Sequence, residues 1–168
     1  MAAEPSREGD ARATSRHDGA REGVRAEGLV QASGMLRVAT QGPGCREITR
    51  EVAGWLSQMG AREGMVNLFI RHTSASLLIQ ENADPDVQRD LIDALRLLAP
   101  EGGHYRHDSE GPDDMPAHIK AMVMPVSLAV PVLEWRVRLG TWQGIYVVEH
   151  RARPHTREVA LQFLGSVG

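Results

Sequence analysis

The stretch Met65–Asn82 reads MVNLFIRHTSASLLIQEN. It is nearly continuous in apolar and β-favouring residues, and the polar run RHTSAS lies in its middle. That pattern predicts two strand segments joined through a small-residue bend, with no helix between them. Two strands in direct succession do not fit a chain of strictly alternating strands and helices.

Working outward supports the same class. Upstream, CREITREVAGWLSQMG places Ile48, Val52, Leu56 and Met59 at helical spacing, and Gly60 follows where a helix end favours a left-handed residue. Before it, GMLRVAT reads as a first strand. Downstream, Asp84 followed by Pro85 is a helix start, and Val87, Leu91, Leu95 and Leu98 mark the apolar stripe of a second helix that ends by Pro100. An irregular stretch, EGGHYRHDSEGPDD, leads into MPAHIKAMVM, a short helix capped by Asp113 or Asp114. The segments VSLAVPVL, WRVRLG, QGIYVVEH and REVALQFLG then read as a closing series of strands. Grouped elements of this kind predict an α+β domain with a largely antiparallel sheet. The expected core is Ile48, Val52 and Leu56 of the first helix, Leu91, Leu95 and Leu98 of the second, and Leu68, Ile70, Val147 and Leu161 of the strands.

Residues 1–28 contain only one large aliphatic side chain, Val24, among Ala, Arg, Glu and Gly. Such a segment buries too little apolar surface to offset its ordering entropy and is expected to be a disordered extension, leaving 29–168 as one domain. Within 168 residues the formal net charge is −3, which gives no footprint for nucleic acid or an anionic membrane. The single cysteine, Cys45, excludes an internal disulfide. No apolar run reaches the length of a signal peptide core or a membrane span, so the protein is expected in the cytoplasm.

Three constellations carry titratable chemistry. The first, HYRHDSEGPDDMPAH over 104–118, packs three histidines and four acids into fifteen positions. His107 and His118 with the intervening carboxylates form a ligand set for a divalent metal. The same residues also suit a solvated acidic loop in which Asp114 only caps a helix. The second, RHTSAS, offers Arg71, His72, Thr73, Ser74 and Ser76 to a phosphate, or else a strand end whose hydroxyls satisfy local backbone groups. The third ends a strand with Glu149 and His150 and continues through Arg151, Arg153 and Arg157. These arginines either meet a phosphorylated ligand, with Arg157 the foremost candidate, or keep a sheet edge soluble.

Taken together and in this order, RHTSASLLIQENADPDVQRD, YRHDSEGPDDMPAHIK and LGTWQGIYVVEHR resemble the YjbQ family, also called the secondary thiamine-phosphate synthase family. The resemblance spans roughly Leu29 to Gly165 and includes His72, Thr73, Ser74, Glu81, Asn82, His107, Asp114, His118, Trp142, Gln143 and Glu149. It implies an α+β, YjbQ-like sandwich of largely antiparallel β-sheets with helices packed against it, commonly a homotrimer. It also implies a weak transferase activity that joins a pyrimidine diphosphate to a thiazole phosphate with loss of pyrophosphate. On that basis His107 and His118 are expected to hold a divalent metal, zinc or magnesium. His72, Asp114 and Glu149 are expected in catalysis, and Arg71, Thr73, Ser74, Ser76 and Arg157 at a phosphorylated small-molecule substrate. A metal-dependent hydrolase and a non-catalytic trimer that binds a metabolite or a metal are the alternatives.

Overall fold

The computed structural model describes residues 28–168; the expected N-terminal extension, apart from Gly28, lies outside them. The elements run β1 (Val30–Thr40), β2 (Gly44–Glu47), α1 (Thr49–Gln58), β3 (Ala61–Ile70), β4 (Ala75–Glu81), α2 (Pro85–Leu98), α3 (Asp114–Val123), β5 (Ser127–Leu133), β6 (Arg136–Val137), β7 (Gln143–Glu149) and β8 (His155–Val167). A five-stranded sheet has the order β1-β8-β3-β5-β6, and a three-stranded sheet the order β2-β7-β4. Every pairing is antiparallel. The fold is therefore α+β, as the grouping of elements predicts.

The bend at 71–74 does more than turn the chain. β3 lies in the large sheet and β4 in the small one, so this bend carries the chain from one sheet to the other. One hydrophobic cluster is shared between the sheets and α1: Val66, Leu68, Ile70, Val159, Leu161 and Phe163 from the large sheet, Ala75, Leu77, Ile145 and Val147 from the small one, and Ile48, Val52 and Leu56 at α1. At the helix end Gly60 takes a positive φ of 65° and donates its N–H to Ser57 O at 3.0 Å, which closes α1 as its sequence predicts.

One strand is added to the sequence reading and one expectation is corrected. Just before α1, Gly44–Glu47 pair with β7 from Gly44↔Glu149 to Glu47↔Tyr146. The periodic apolar residues begin at Ile48, and the sheet partner claims what precedes them. α2 is rolled relative to the expected stripe. Ile92 is its buried position and Ala99 is buried at its C-terminal end, Leu91 and Leu95 are half-buried, and Leu98 is 56% exposed. Gln88, one turn before Ile92, donates to the Tyr146 hydroxyl at 3.1 Å and turns that face towards the small sheet.

Candidate metal centre and adjoining cavity

The glycines at 102, 103 and 111 and Pro112 interrupt any helical or strand period between α2 and α3, so 100–113 is irregular and delivers His107 back towards α3. On α3, Asp114 and His118 are four residues apart and share a face. His107 Nε2 lies 2.7 Å from Asp114 Oδ2, and His118 Nε2 lies 3.5 Å from the same oxygen. The two rings stand 5.5 Å apart, tilted by 59°. One donor atom from each of the three residues falls within 4.8 Å of the others. Asp114 is buried while both imidazoles keep an exposed edge, so the cluster is open to solvent on the histidine side.

The residues around this cluster fix its orientation. His118 Nδ1 donates to Thr73 O at 3.1 Å. The other Asp114 oxygen accepts from Arg151 Nη1, and Arg151 Nε donates to Asp113 Oδ2 at 2.9 Å. Asp113 also accepts from the Ala152 N–H at 2.8 Å. Neither aspartate caps α3 with its side chain, so the capping reading is corrected: both carboxylates turn to Arg151 instead. Burial favours the neutral form of Asp113, but the Ala152 N–H and the Arg151 guanidinium outweigh it and hold the carboxyl below its ordinary range.

Beside the cluster an open cavity of about 550 Å³ is lined by Phe69, Ile70, Arg71, His72, Thr73, His118, Ala121, Met122 and Val126. Arg71, His72, Thr73 and His118 thus share one wall. His72 Nδ1 accepts the Ser74 N–H at 3.1 Å and lies 3.0 Å from Ser74 Oγ. Burial, then the Arg157 charge, lower the His72 pKa.

The remaining expected site residues stand behind this wall. Glu149 and Arg157 are each 1% exposed and paired, with Arg157 Nε donating to Glu149 Oε2 at 2.7 Å. Glu149 also accepts from Thr40 Oγ1 at 2.7 Å and from the N–H groups of His150 and Arg151. Burial alone would raise the Glu149 pKa, but Arg157, the Arg151 N–H and Thr40 reverse this and lower it. Arg157, expected at a phosphate, instead holds a buried carboxylate and reaches Ser74 Oγ at 3.3 Å. Ser76 is fully buried and bonded to His150 Nε2 at 2.8 Å, away from the cavity wall.

Sequence reasoning weighed Arg151 with its neighbouring arginines but did not single it out, and it is Arg151 that grips the site carboxylates. It named Asp113 only as a helix cap or an intervening carboxylate and His150 only as a strand end, and it missed Thr40 and the buried Lys120. The available signal was the position of Arg151 directly after a strand ending in Glu149-His150.

No helix among the described residues is long and apolar enough to cross a membrane. The family model described as UPF0047 protein YjbQ-like matches residues 35–166. A UPF0047 protein of Synechocystis is 46% identical over 134 residues, 79% of this chain and 91% of that protein. The UPF0047 protein YjbQ of Escherichia coli is 38% identical over 131 residues, 77% of this chain and 95% of its own length. Among solved structures, a conserved protein of the YjbQ/UPF0047 family from Clostridium acetobutylicum superimposes with a TM-score of 0.70 at 36% identity, covering 79% of this chain and 98% of that one. A YbjQ-like protein of unknown function from Sulfolobus solfataricus shares the fold, with a TM-score of 0.76 at 19% identity over 83% of this chain and 100% of the other. With a family model spanning most of the described residues and relatives of this identity, the chain belongs to the UPF0047, YjbQ-like family.

Proposed function

We propose that the chain is a divalent-metal-dependent enzyme acting on a phosphorylated small molecule, and that its reaction joins the pyrimidine part of a pyrimidine diphosphate to a thiazole phosphate, the pyrophosphate leaving. The observation that carries this reading is the convergence of His107, Asp114 and His118 at the rim of a cavity lined by Arg71 and His72. Two imidazoles and one carboxylate, with His118 held from behind by Thr73 O and Asp114 by Arg151, are a donor set for zinc or a related divalent ion, and three ligands leave positions for substrate. When bound, the metal would supply charge to neutralise a departing pyrophosphate. His107 and His118 would hold it through Nε2, and Asp114 through Oδ2. Arg71 and His72 are placed to meet phosphate oxygens along the cavity wall.

A second reading, metal-dependent hydrolysis, is favoured by one observation: His107 is 44% exposed, so water reaches the cluster. Product analysis with both thiamine precursors separates the two. Transfer gives a coupled product and pyrophosphate only when both precursors are present. Release of phosphate from a single precursor supports hydrolysis, and no turnover of either contradicts both.

The same reading includes assembly with further copies, as a trimer. Support comes from the outer face of the large sheet, where Ser33, Met35, Met65, Asn67, Phe69, Ala129, Pro131, Gln162 and Leu164 form a register-matched patch bordered by the ion pairs of Glu158 with Arg37 and Arg71. Such faces in water are commonly covered. Phe69 belongs both to this face and to the cavity, which sets the cavity at its margin. Sedimentation of a monomer at micromolar concentration would contradict the assembly.

A further inference from the structure

The bend between β3 and β4 fixes the proton positions of two histidines at once. Thr73 O accepts the Nδ1–H of His118, so in the neutral ring the acceptor nitrogen is Nε2, the one that faces Asp114. One residue on, the Ser74 N–H points at His72 Nδ1 at 3.1 Å. A backbone N–H only donates, so His72 Nδ1 is the acceptor of that bond and carries no proton. The ring proton of a neutral His72 is therefore on Nε2.

We infer that His72 is a fixed neutral donor, presenting Nε2–H to an oxygen of an anionic, phosphate-bearing ligand in the cavity beside His118, and is not the proton-transferring group of the site. The inference rests on the reading of the cavity as a phosphate-binding site. To act as a base at Nε2 the ring would have to pass its proton to Nδ1 and break the bond from Ser74. To act as an imidazolium it would have to place a proton against that same N–H.

The support for the lock is buried and rigid. Ser74 is 1% exposed, and its Oγ accepts from Arg157 Nη2 at 3.3 Å, which directs the hydroxyl proton towards His72 Nδ1. Arg157 is in turn held by Glu149, and Glu149 by Thr40. A chain of side chains from three strands thus ends on one ring nitrogen at the cavity wall. Among the charged groups around His72, Arg157, His155 and Arg151 disfavour a proton and only Glu149 favours one, and burial also disfavours it. Donor and metal-binding nitrogen are then complementary: one wall offers a hydrogen to ligand oxygens while the neighbouring imidazole keeps a lone pair for a cation.

The test has two arms. In two-bond ¹H–¹⁵N correlation spectra of the free protein at neutral pH, His72 is expected as the Nε2–H tautomer, independent of metal or ligand. In the second, binding of inorganic pyrophosphate is measured for the wild type, His72→Phe and His72→Gln in the presence of zinc or magnesium, with metal content checked in each. The phenylalanine variant is expected to bind about tenfold or more weakly, as loss of a hydrogen bond to a charged group implies, while glutamine, whose amide restores a donor, recovers most of the affinity. An Nδ1–H tautomer, a phenylalanine variant that binds as the wild type does, or a wild type that holds metal yet does not bind pyrophosphate overturns the proposal. Protein that takes up no metal but still shows the tautomer and the tenfold loss sinks the metal reading and leaves this one standing.

Discussion

His118 donates from Nδ1 to the carbonyl oxygen of Thr73 at 3.1 Å, and this bond ties α3 to the bend that carries the chain between the sheets. A histidine held through one nitrogen offers the other in a set direction. The cluster is therefore organised by the fold before any ion arrives, with Thr73 behind one ligand and Arg151 behind Asp114.

Arg151 touches no candidate histidine, yet it aligns the carboxylate between them. Substituting Arg151→Lys keeps a positive charge but loses the planar fork that spans Asp113, Asp114 and the Glu110 carbonyl. Metal affinity should fall about 10- to 100-fold, the usual effect of removing an outer partner of a ligand. Competition with a chromophoric chelator measures it; an unchanged affinity would mean that Arg151 serves only the loop.

The Glu149–Arg157 pair is a separate liability. With both side chains out of water, Arg157→Met leaves an unpaired buried carboxylate and should cost about 3–5 kcal/mol of unfolding free energy. The double variant Glu149→Gln with Arg157→Met should recover part of that loss. Denaturant titration distinguishes the cases, and a single variant as stable as wild type would show that the pair is hydrated.

His150 predicts an acid sensitivity with a defined window. Its pKa is pushed down to about 4, first by burial and then by the Lys120 ammonium, against 6.5 in the free side chain. Below pH 6.5 the unfolded chain takes up a proton that the native state refuses, so stability falls as pH drops from about 6.5 towards 4 and levels off beneath. The full loss is about 3 kcal/mol. Glu149 and Asp113 are shifted down, so their contributions persist above their ordinary values of 4.5 and 3.8 and are lost only at lower pH. In His150→Gln the slope of stability between pH 6.5 and 5 should flatten. An identical slope in both proteins would assign it to another group.

Much of the fold is legible because the apolar periods are strong. Leu68, Ile70 and Leu161 alternate as strand residues do, Val147 lies in a continuously buried strand, and all four are buried. The roll of α2 is not legible, because Leu91, Leu95 and Leu98 make as good a stripe as Ile92 and Ala99, and the choice is made by a distant tyrosine. At the site, the histidine-rich stretch is legible by composition, whereas the choice of His107, Asp114 and His118 from it follows from the family resemblance. What composition cannot give is which arginine turns inward: Arg151 and Arg157 are chemically alike, and only the register of β8 against β1 sends Arg157 into the interior opposite Val38.

The corrected helix face has its own consequence. Ile92→Ala should destabilise by about 2–5 kcal/mol, as for other buried aliphatics, whereas Leu98→Ala should stay within about 0.5 kcal/mol. Thermal or urea unfolding of the two variants decides it, and the reverse order would restore the stripe read from the sequence.

The central claim is that His107, Asp114 and His118 hold a metal ion, and elemental analysis of purified wild type, His107→Ala and His118→Ala tests it most directly. Neither histidine lies in the core, so both variants should fold, and each loses one ligand. The account predicts stoichiometric metal in the wild type and a sharp loss in each variant, with wild-type occupancy itself declining as acid protonates the same nitrogens. Equal metal content in all three proteins, whether full or nil, would contradict it.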